Sequence, residues 1–384
     1  MESYVIKARR QLHMYPEIGF DLDKTLTFLK GELDKMGVEY TEKYGKSGLV
    51  ATVNPEKTNF TIGVRADMDA LPIKEECDVP FKSKIDGQMH ACGHDAHTAM
   101  ALDACRRINE MREKINCRVK FIFQPAEEYP PSGAKLMAAD GVMDDIDCII
   151  ALHVDTAYDA GQIGLSVGPQ NATSDGFHLE FYGRSAHVAH QEKGIDAIMM
   201  AVKAYTDIEF MIAKEVKAAD PVIFNVGAIH GGVTNNIICD HVSMYCTLRT
   251  QKDELAESII EKIKKIVASV GDSSGGRAEF VEDKHYPIVH NNPKMTELVR
   301  AAAAKVVGDD HVLPRIRTMG GEDFSYFANL KPGCMFRLGV RNIEKGYTVA
   351  VHNGKFQIDE SALEIGSDVF VQFLLDNMNG ISFE

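Results

Sequence analysis

The order of apolar patterns along the chain predicts an α/β protein: a doubly wound, mostly parallel sheet domain carrying an inserted ferredoxin-like (βαββαβ) domain. Three observations predict it. Helical and strand-like patterns alternate through the first part of the chain, and the rhythm changes at the polar, Gly/Pro-containing break "SVGPQNATS" (166–174). The first kind of pattern then resumes after His285. With 384 residues, 45% of them apolar, the chain also holds more material than one core usually accommodates. The expected division is 1–172 plus 287–384 for the outer domain and 173–286 for the insert.

Taken in order, "YVIKARRQLHMYPE" and "DKTLTFLKGELDKMG" space their apolar residues as helices do, the second stopped by Gly37. "GLVATV" and "FTIGVRAD" read as strands, "AHTAMALDACRRINEMREK" as a helix with basic residues towards its negative end, and "CRVKFIFQPAEE" and "DCIIALHV" as further strands. Three of these strands run out into charged or ligand-type residues: Asp67, the pair Glu127 and Glu128, and His153. In a parallel sheet the carboxyl ends of the strands share one edge, where ligands bind. The insert reads as strand "GFHLEFYG", helix "GIDAIMMAVKAYTDIEFMIAK", strands "PVIFNVGAI" and "IICDHVSMYCTLRT", helix "KDELAESIIEKIKKIVASV" and strand "RAEFVED", which is the βαββαβ order. "MTELVRAAAAKVVG", "CMFRLGV" and "SDVFVQFLLDN" complete the outer domain, and no repeat or low-complexity segment interrupts it.

Composition narrows the function. A net charge of −14 without any Lys/Arg block argues against nucleic acid or anionic membrane as partner. The N-terminal stretch lacks the apolar region of a signal peptide, and no apolar run approaches the roughly 18 residues of a membrane span. Eight cysteines (Cys77, Cys92, Cys105, Cys117, Cys148, Cys239, Cys246, Cys334) stand without paired spacing, unlike a disulfide framework. A soluble protein of the reducing cytoplasm is expected.

The stretch "MHACGHDAHTAM" (89–100) concentrates three histidines, a cysteine and an aspartate. Cys92 and His94, one residue apart just before a helix, can point the same way, and thiolate with imidazole is a transition-metal pair. A single buried Cys or His is more often a packing or hydrogen-bonding residue. The metal reading gains weight from Glu127, Glu128 and His153, which bring the N, O and S donors to a number sufficient for two ions, with one carboxylate left over. A metal lowers the pKa of bound water towards about 7, and an unligated carboxylate nearby can take that proton and pass it to a leaving amine. In "QPAEE" adjacent acids face opposite ways if strand geometry continues, so that one can bind metal while the other faces substrate.

"RADMDALP", "MHACGHDAHTAM", "QPAEE", "ALHV", "GRSAHVAHQEKGIDAI", "GGVTNNII", "TLRT", "GGEDFSYF" and "VHNGKF" occur in the order seen in the M20 metallopeptidases. From about His13 to the last helix the chain resembles the amidohydrolase branch of that family, which includes hippurate hydrolases and other N-acyl amino acid amidohydrolases. The resemblance implies that Cys92, His94, Glu128, His153 and His352 are metal ligands and that Glu127 is the general base. Asp67 and His97 then stand behind the ligands and orient them; Arg65 occupies a position where many peptidases of the wider family have a ligand histidine. The insert becomes a lid and dimerisation domain: His187 matches the histidine that reaches over the metals to the oxyanion, sometimes from a partner subunit, and Asn236 with Arg249 matches the pair that holds the substrate carboxylate. Gln191 and Cys239 replace prolines usual in relatives, which bears on lid-loop shape and specificity. Glu322 and Asp323, in a Gly-Gly-led turn before a helix, suit helix caps.

The expected protein is therefore a dinuclear hydrolase using two divalent ions (zinc or manganese, with cobalt or nickel also compatible) and metal-bound hydroxide. Its substrate is the amide of an N-acyl amino acid or a small peptide-like conjugate, and a homodimer through the insert is expected. A dipeptidase or carboxypeptidase on the same scaffold is the nearer rival, separable by testing N-acyl amino acids against free dipeptides. A non-catalytic metal-binding interaction protein is the rival from another class, and Glu127 argues against it, because a pure binding site needs no unligated base.

Overall fold

The computed structural model describes residues 2–383. In chain order, α1 (Tyr4–His13) and α2 (Asp23–Met36) precede β1 (Glu39–Tyr44), β2 (Gly48–Val53) and β3 (Thr61–Asp67). Then come α3 (His94–Glu110), β4 (Arg118–Gln124), α4 (Gly133–Ala139), β5 (Cys148–Asp159) and the two-residue strands β6 (Ile163–Gly164) and β7 (Gly168–Pro169). The insert follows as β8 (Ser174–Tyr182), α5 (Ala197–Glu215), β9 (Val222–Gly231), β10 (His241–Thr250), α6 (Asp253–Ser273) and β11 (Arg277–Tyr286). β12 (His290–Asn291), α7 (Pro293–Val307), β13 (Val312–Leu313), α8 (Ser325–Ala328), β14 (Gly333–Arg341) and α9 (Ala362–Asn377) complete the chain. Two compact units result. One comprises the chain up to Gln170, Val289–Arg317 and the chain from Asp323 on; the other is Asn171–Ile288 with Thr318–Glu322.

The first unit is built on an eight-stranded sheet of order β1-β2-β4-β3-β5-β14-β6-β13. Its four central strands, β4, β3, β5 and β14, are mutually parallel, and β1 and β2 are added antiparallel at one edge. Alternate residues along the strands face opposite ways. Leu49, Val64, Phe121, Ile150 and Phe336 join residues of α1, α2, α3, α7 and α9 in one core. Val50, Ile122, Ile149 and Met335 join Met137, Phe324 and Phe327 in a second core across the sheet. Both faces are covered, which is why the central strands are apolar runs rather than alternating ones. α2 stops at Gly37, whose φ of 65° is the left-handed conformation glycine adopts freely.

The second unit is a four-stranded antiparallel sheet of order β11-β8-β10-β9. Numbered from one within the unit, that order is 4-1-3-2, the ferredoxin-like arrangement. Ala197, Met200, Ala204 and Ile208 of α5 and Ile259, Ile263 and Val267 of α6 cover one face in a core of their own.

Several strand ends differ from expectation. The strand expected to run through "QPAEE" ends at Gln124, because Pro125 offers no N–H and Ala126 turns the chain with φ 49°. The strand expected to end at His153 continues to Asp159, since β14 pairs with β5 well past that point. The strand expected from Ile237 starts at His241. Among the described residues, no helix is long and apolar enough to cross a membrane.

Candidate metal centre

Gly93 brings Cys92 and His94 together. It sits at φ 87° immediately before α3, and a side chain there would run into Val154. Only glycine turns the chain so tightly against β5, leaving His94 as the first residue of the helix. The ligand atoms of Cys92, His94 and His153 lie within 4.8 Å of one another, as do those of Cys92, Glu128 and His352, and those of His94, Glu127 and Glu128. The five expected ligands and Glu127 are thus brought together in overlapping groups.

Two of the buried histidines expected as ligands are each oriented by a backbone carbonyl. His94 Nδ1 donates to the Asp69 carbonyl at 2.8 Å, and His153 Nδ1 donates to the Val154 carbonyl at 2.7 Å, so both rings present Nε2. His153 Nε2 lies 3.4 Å from Cys92 Sγ. His97 is different, because both its nitrogens are engaged: Nε2 accepts from Val154 N–H at 2.9 Å and Nδ1 donates to Asp67 Oδ1 at 2.6 Å. Asp67 also accepts from Arg65 at 2.8 Å and stands 3.7 Å from His94 Nε2. His90 is buried with neither ring nitrogen hydrogen-bonded, and burial pushes its pKa down to about 3, so it is neutral. Asp95 turns away to Arg9 and His13, both at 2.7 Å.

The two acids of "QPAEE" lie in a loop rather than on a strand. A side chain at Gly133 would collide with the Pro125 carbonyl, and Gly133 N–H instead closes the loop on Ala126 O at 2.9 Å. Glu127 N–H and Glu128 N–H donate to the two oxygens of Asp69 at 3.0 and 3.1 Å. Glu128 Oε1 lies 2.8 Å from Nε2 of His352, an exposed residue at φ 63° whose own N–H is tied to Ala91 O at 2.8 Å.

The cluster shifts its carboxylates and its thiol in opposite directions. Burial alone would raise the Asp67 carboxyl, yet His94, Arg65 and His97 hold it well below the ordinary range. Burial likewise acts to raise Glu128, and His352 and His94 overcome it. Burial raises the Cys92 thiol and lowers His153, as it must for groups whose charged forms lose water. His94 Nε2 is buried and has no hydrogen-bond partner, an arrangement that costs about 1–3 kcal/mol unless something fills it. A buried, unpartnered imidazole nitrogen among a thiol, carboxylates and further imidazoles fits a pair of divalent ions.

Two acids of this unit make contacts that the sequence does not announce. Asp69 is one; its only signal was the i, i+2 spacing from Asp67 in "RADMD", which reads as an ordinary loop acid. Asp323 is the other. Instead of capping α8, its buried carboxylate accepts from Arg65 at 2.9 Å, from Gln124 at 2.8 Å and from Ser132 at 2.7 Å. Arg65, fully buried, thereby bridges Asp67 and Asp323.

The remaining expected residues belong to the second unit. His187 is exposed, and its Nδ1 accepts from Ala189 N–H at 3.1 Å. Asn236 accepts at its carbonyl from Val188 N–H at 3.1 Å, which pairs its loop with that of His187. Arg249, on β10 and half-buried, donates to Met319 O at 2.9 Å, and burial lowers its pKa. Glu322 is buried.

A family model described as peptidase family M20/M25/M40 matches residues 63–376. The chain belongs to this family. Thermostable carboxypeptidase 1 of Saccharolobus solfataricus is 34% identical over 371 residues, covering 96% of this chain and 93% of that protein. N-acetyl-L-cysteine deacetylase of Bacillus subtilis is 33% identical over 363 residues, covering 94% and 85%. The crystal structure of Bacillus subtilis YXEP, described as a dinuclear metal-binding peptidase of the M20 family, matches with a TM-score of 0.82 at 28% identity over 98% of each chain. The M20 protein is a hydrolase acting on amide bonds.

Proposed function

We propose that this M20 chain is a dinuclear metal-dependent amidohydrolase that splits the amide of an N-acyl amino acid, or of a small peptide-like conjugate, into an acid and an amine. The observation that carries this reading is the overlap of donor groups around adjacent carboxylates, Glu128 against His352 and Glu127 beside it. Cys92, His94, Glu128, His153 and His352 would hold the ions, zinc or manganese first, with cobalt and nickel compatible with the same S, N and O donors. Bound there, two divalent cations supply a Lewis acid for the amide carbonyl and lower the pKa of water. Glu127 takes the proton of the attacking water and delivers it to the leaving nitrogen. His187 accepts at Nδ1 from Ala189, which puts the proton of its neutral ring on Nε2, the donor an oxyanion requires. Asn236 and Arg249 hold the free carboxylate of the substrate, with one arm of the guanidinium anchored on Met319 O.

A carboxypeptidase or dipeptidase is the second reading, favoured by the likeness to the Saccharolobus enzyme. The metal-reconstituted protein should hydrolyse acetyl, benzoyl or indole-acyl amino acids with higher kcat/KM than free dipeptides; the reverse ranking would exchange the two readings. The eight cysteines are all buried and free, in keeping with a reducing cytoplasm. A homodimer through the second unit is supported by exposed Met199, Val202 and Phe210 on α5 and exposed Ile223 and Ile229 on β9, an edge strand. Phe210→Lys with Met199→Asp should halve the mass measured by light scattering.

A further inference from the structure

We propose that Asp69 is the positioning residue that sets the base and two of the ligands together, an inference that rests on the reading of Glu127 and Glu128 above. Its carboxylate is buried, with one oxygen accepting from Glu127 N–H at 3.0 Å and the other from Glu128 N–H at 3.1 Å. Successive amide N–H groups converge on one anion only where the chain bends as in an anion-binding nest, and Ala126, at φ 49°, supplies that bend immediately before. Asp69 therefore acts as a built-in anion that holds the Ala126–Glu128 turn closed. The same residue's carbonyl takes His94 Nδ1–H at 2.8 Å, and Asp69 Oδ1 lies 3.4 Å from that nitrogen. This contact leaves His94 Nε2 for the centre.

Asp69 is itself held firmly. Met68 N–H donates to Gln124 O at 2.9 Å and Ala70 N–H donates to Glu17 O at 2.7 Å, so the backbone on either side is fixed to neighbouring segments. Ala126 N–H bonds Gly19 O at 3.1 Å, which anchors the other end of the turn. One side chain thus couples two ligands from different segments, His94 and Glu128, to the base between them. Removing the charge from Asp69 leaves buried N–H groups short of an acceptor, and the least expensive response is for the turn to open and carry Glu127 and Glu128 with it.

Asp69→Asn tests this in the full chain, because the amide keeps the shape and one acceptor but presents N–H₂ to one of the two backbone donors. Zinc titration should show affinity lower by about 10- to 100-fold. At saturating zinc, kcat should fall by about tenfold to a hundredfold with KM little changed, since the base is misplaced while substrate contacts remain. A purely structural aspartate would lower the thermal midpoint and leave zinc affinity and kcat of the folded protein at wild-type values; that outcome overturns the proposal. Should the variant not fold, amide hydrogen exchange in the wild-type holoenzyme decides. Slow exchange at Glu127 and Glu128 supports the clamp, and exchange at the rate of open amides overturns it. Glu127→Gln, run alongside, keeps the two ideas apart: an unchanged rate in that variant removes the base assignment, while lost zinc affinity in Asp69→Asn still upholds the positioning of His94 and Glu128.

Discussion

The groups expected to do chemistry are built in two different ways in the two units. In the first, Cys92, His94, Glu127 and His153 are buried, and His94 and His153 have one ring nitrogen committed to a backbone carbonyl and the other presented to the cluster. In the second, His187 and Asn236 are exposed, on loops fixed chiefly by backbone pairing. Burial makes the first set informative. A polar atom without water must find a partner, so unpartnered His94 Nε2 amid S, N and O donors speaks for an ion. An exposed histidine satisfies itself with water and reveals little by its surroundings; the ring of His187 is held at Nδ1 by Ala189 N–H.

The contrast can be broken by experiment. The largest effect is expected at Glu127: Glu127→Gln should lower kcat by about 10²- to 10⁴-fold while elemental analysis still finds both metals. Loss of an ion in that variant would exchange the roles of Glu127 and Glu128. Next, His187→Ala should lower kcat by about 10²- to 10³-fold, the scale of one oxyanion donor, with zinc affinity unchanged. A loss of zinc from this variant would erase the distinction between the units. Arg249→Ala should raise KM by roughly tenfold to a hundredfold for substrates with a free carboxylate, the scale of a charged hydrogen bond, and by much less for the matching carboxamides. Equal defects on both would remove the carboxylate clamp.

The smallest effect concerns stability in the first unit. Asp359 is held by Asn342, Lys345 and Ser361, and although burial opposes it these partners bring its pKa down to about 2. A carboxyl depressed in the folded state stabilises above its unfolded pKa of about 3.9 and loses that contribution as pH falls towards 2. Asp359→Asn should therefore cost up to about 2 kcal/mol near neutral pH by denaturant melts, with the difference from wild type shrinking below about pH 4. A difference independent of pH would place the effect in packing instead of charge.

Much of the fold could be read along the chain, because apolar periodicity is set locally: β3, α3, β5 and the βαββαβ order all appear where their patterns stand. Strand ends were read less well. Nothing in "QPAEE" announces that Ala126 adopts a left-handed φ, a conformation usually left to glycine, so the pattern alone predicts a strand continuing to the acids. The opposite facing expected of Glu127 and Glu128 presumes that the strand continues; in the turn that stands there instead, ligand atoms of both acids lie within 4.8 Å of one another and of His94. Asp323 suits a helix cap by its place before a short helix, and one of the partners its carboxylate takes instead, Arg65, lies 258 positions away.

By itself the sequence determined the residue types available for chemistry, the one-residue spacing of Cys92 and His94, and the order of elements that carries them, since all three follow from neighbours along the chain. Only the tertiary structure decided which nitrogen each histidine presents, that Asp69 rather than Asp67 accepts from the backbone of the two acids, and that Arg65 joins Asp67 to Asp323. Those are long-range hydrogen bonds between buried groups. Their partners are chosen by which polar atoms remain unsatisfied once the strands and helices have packed, and that condition does not exist until the chain has folded.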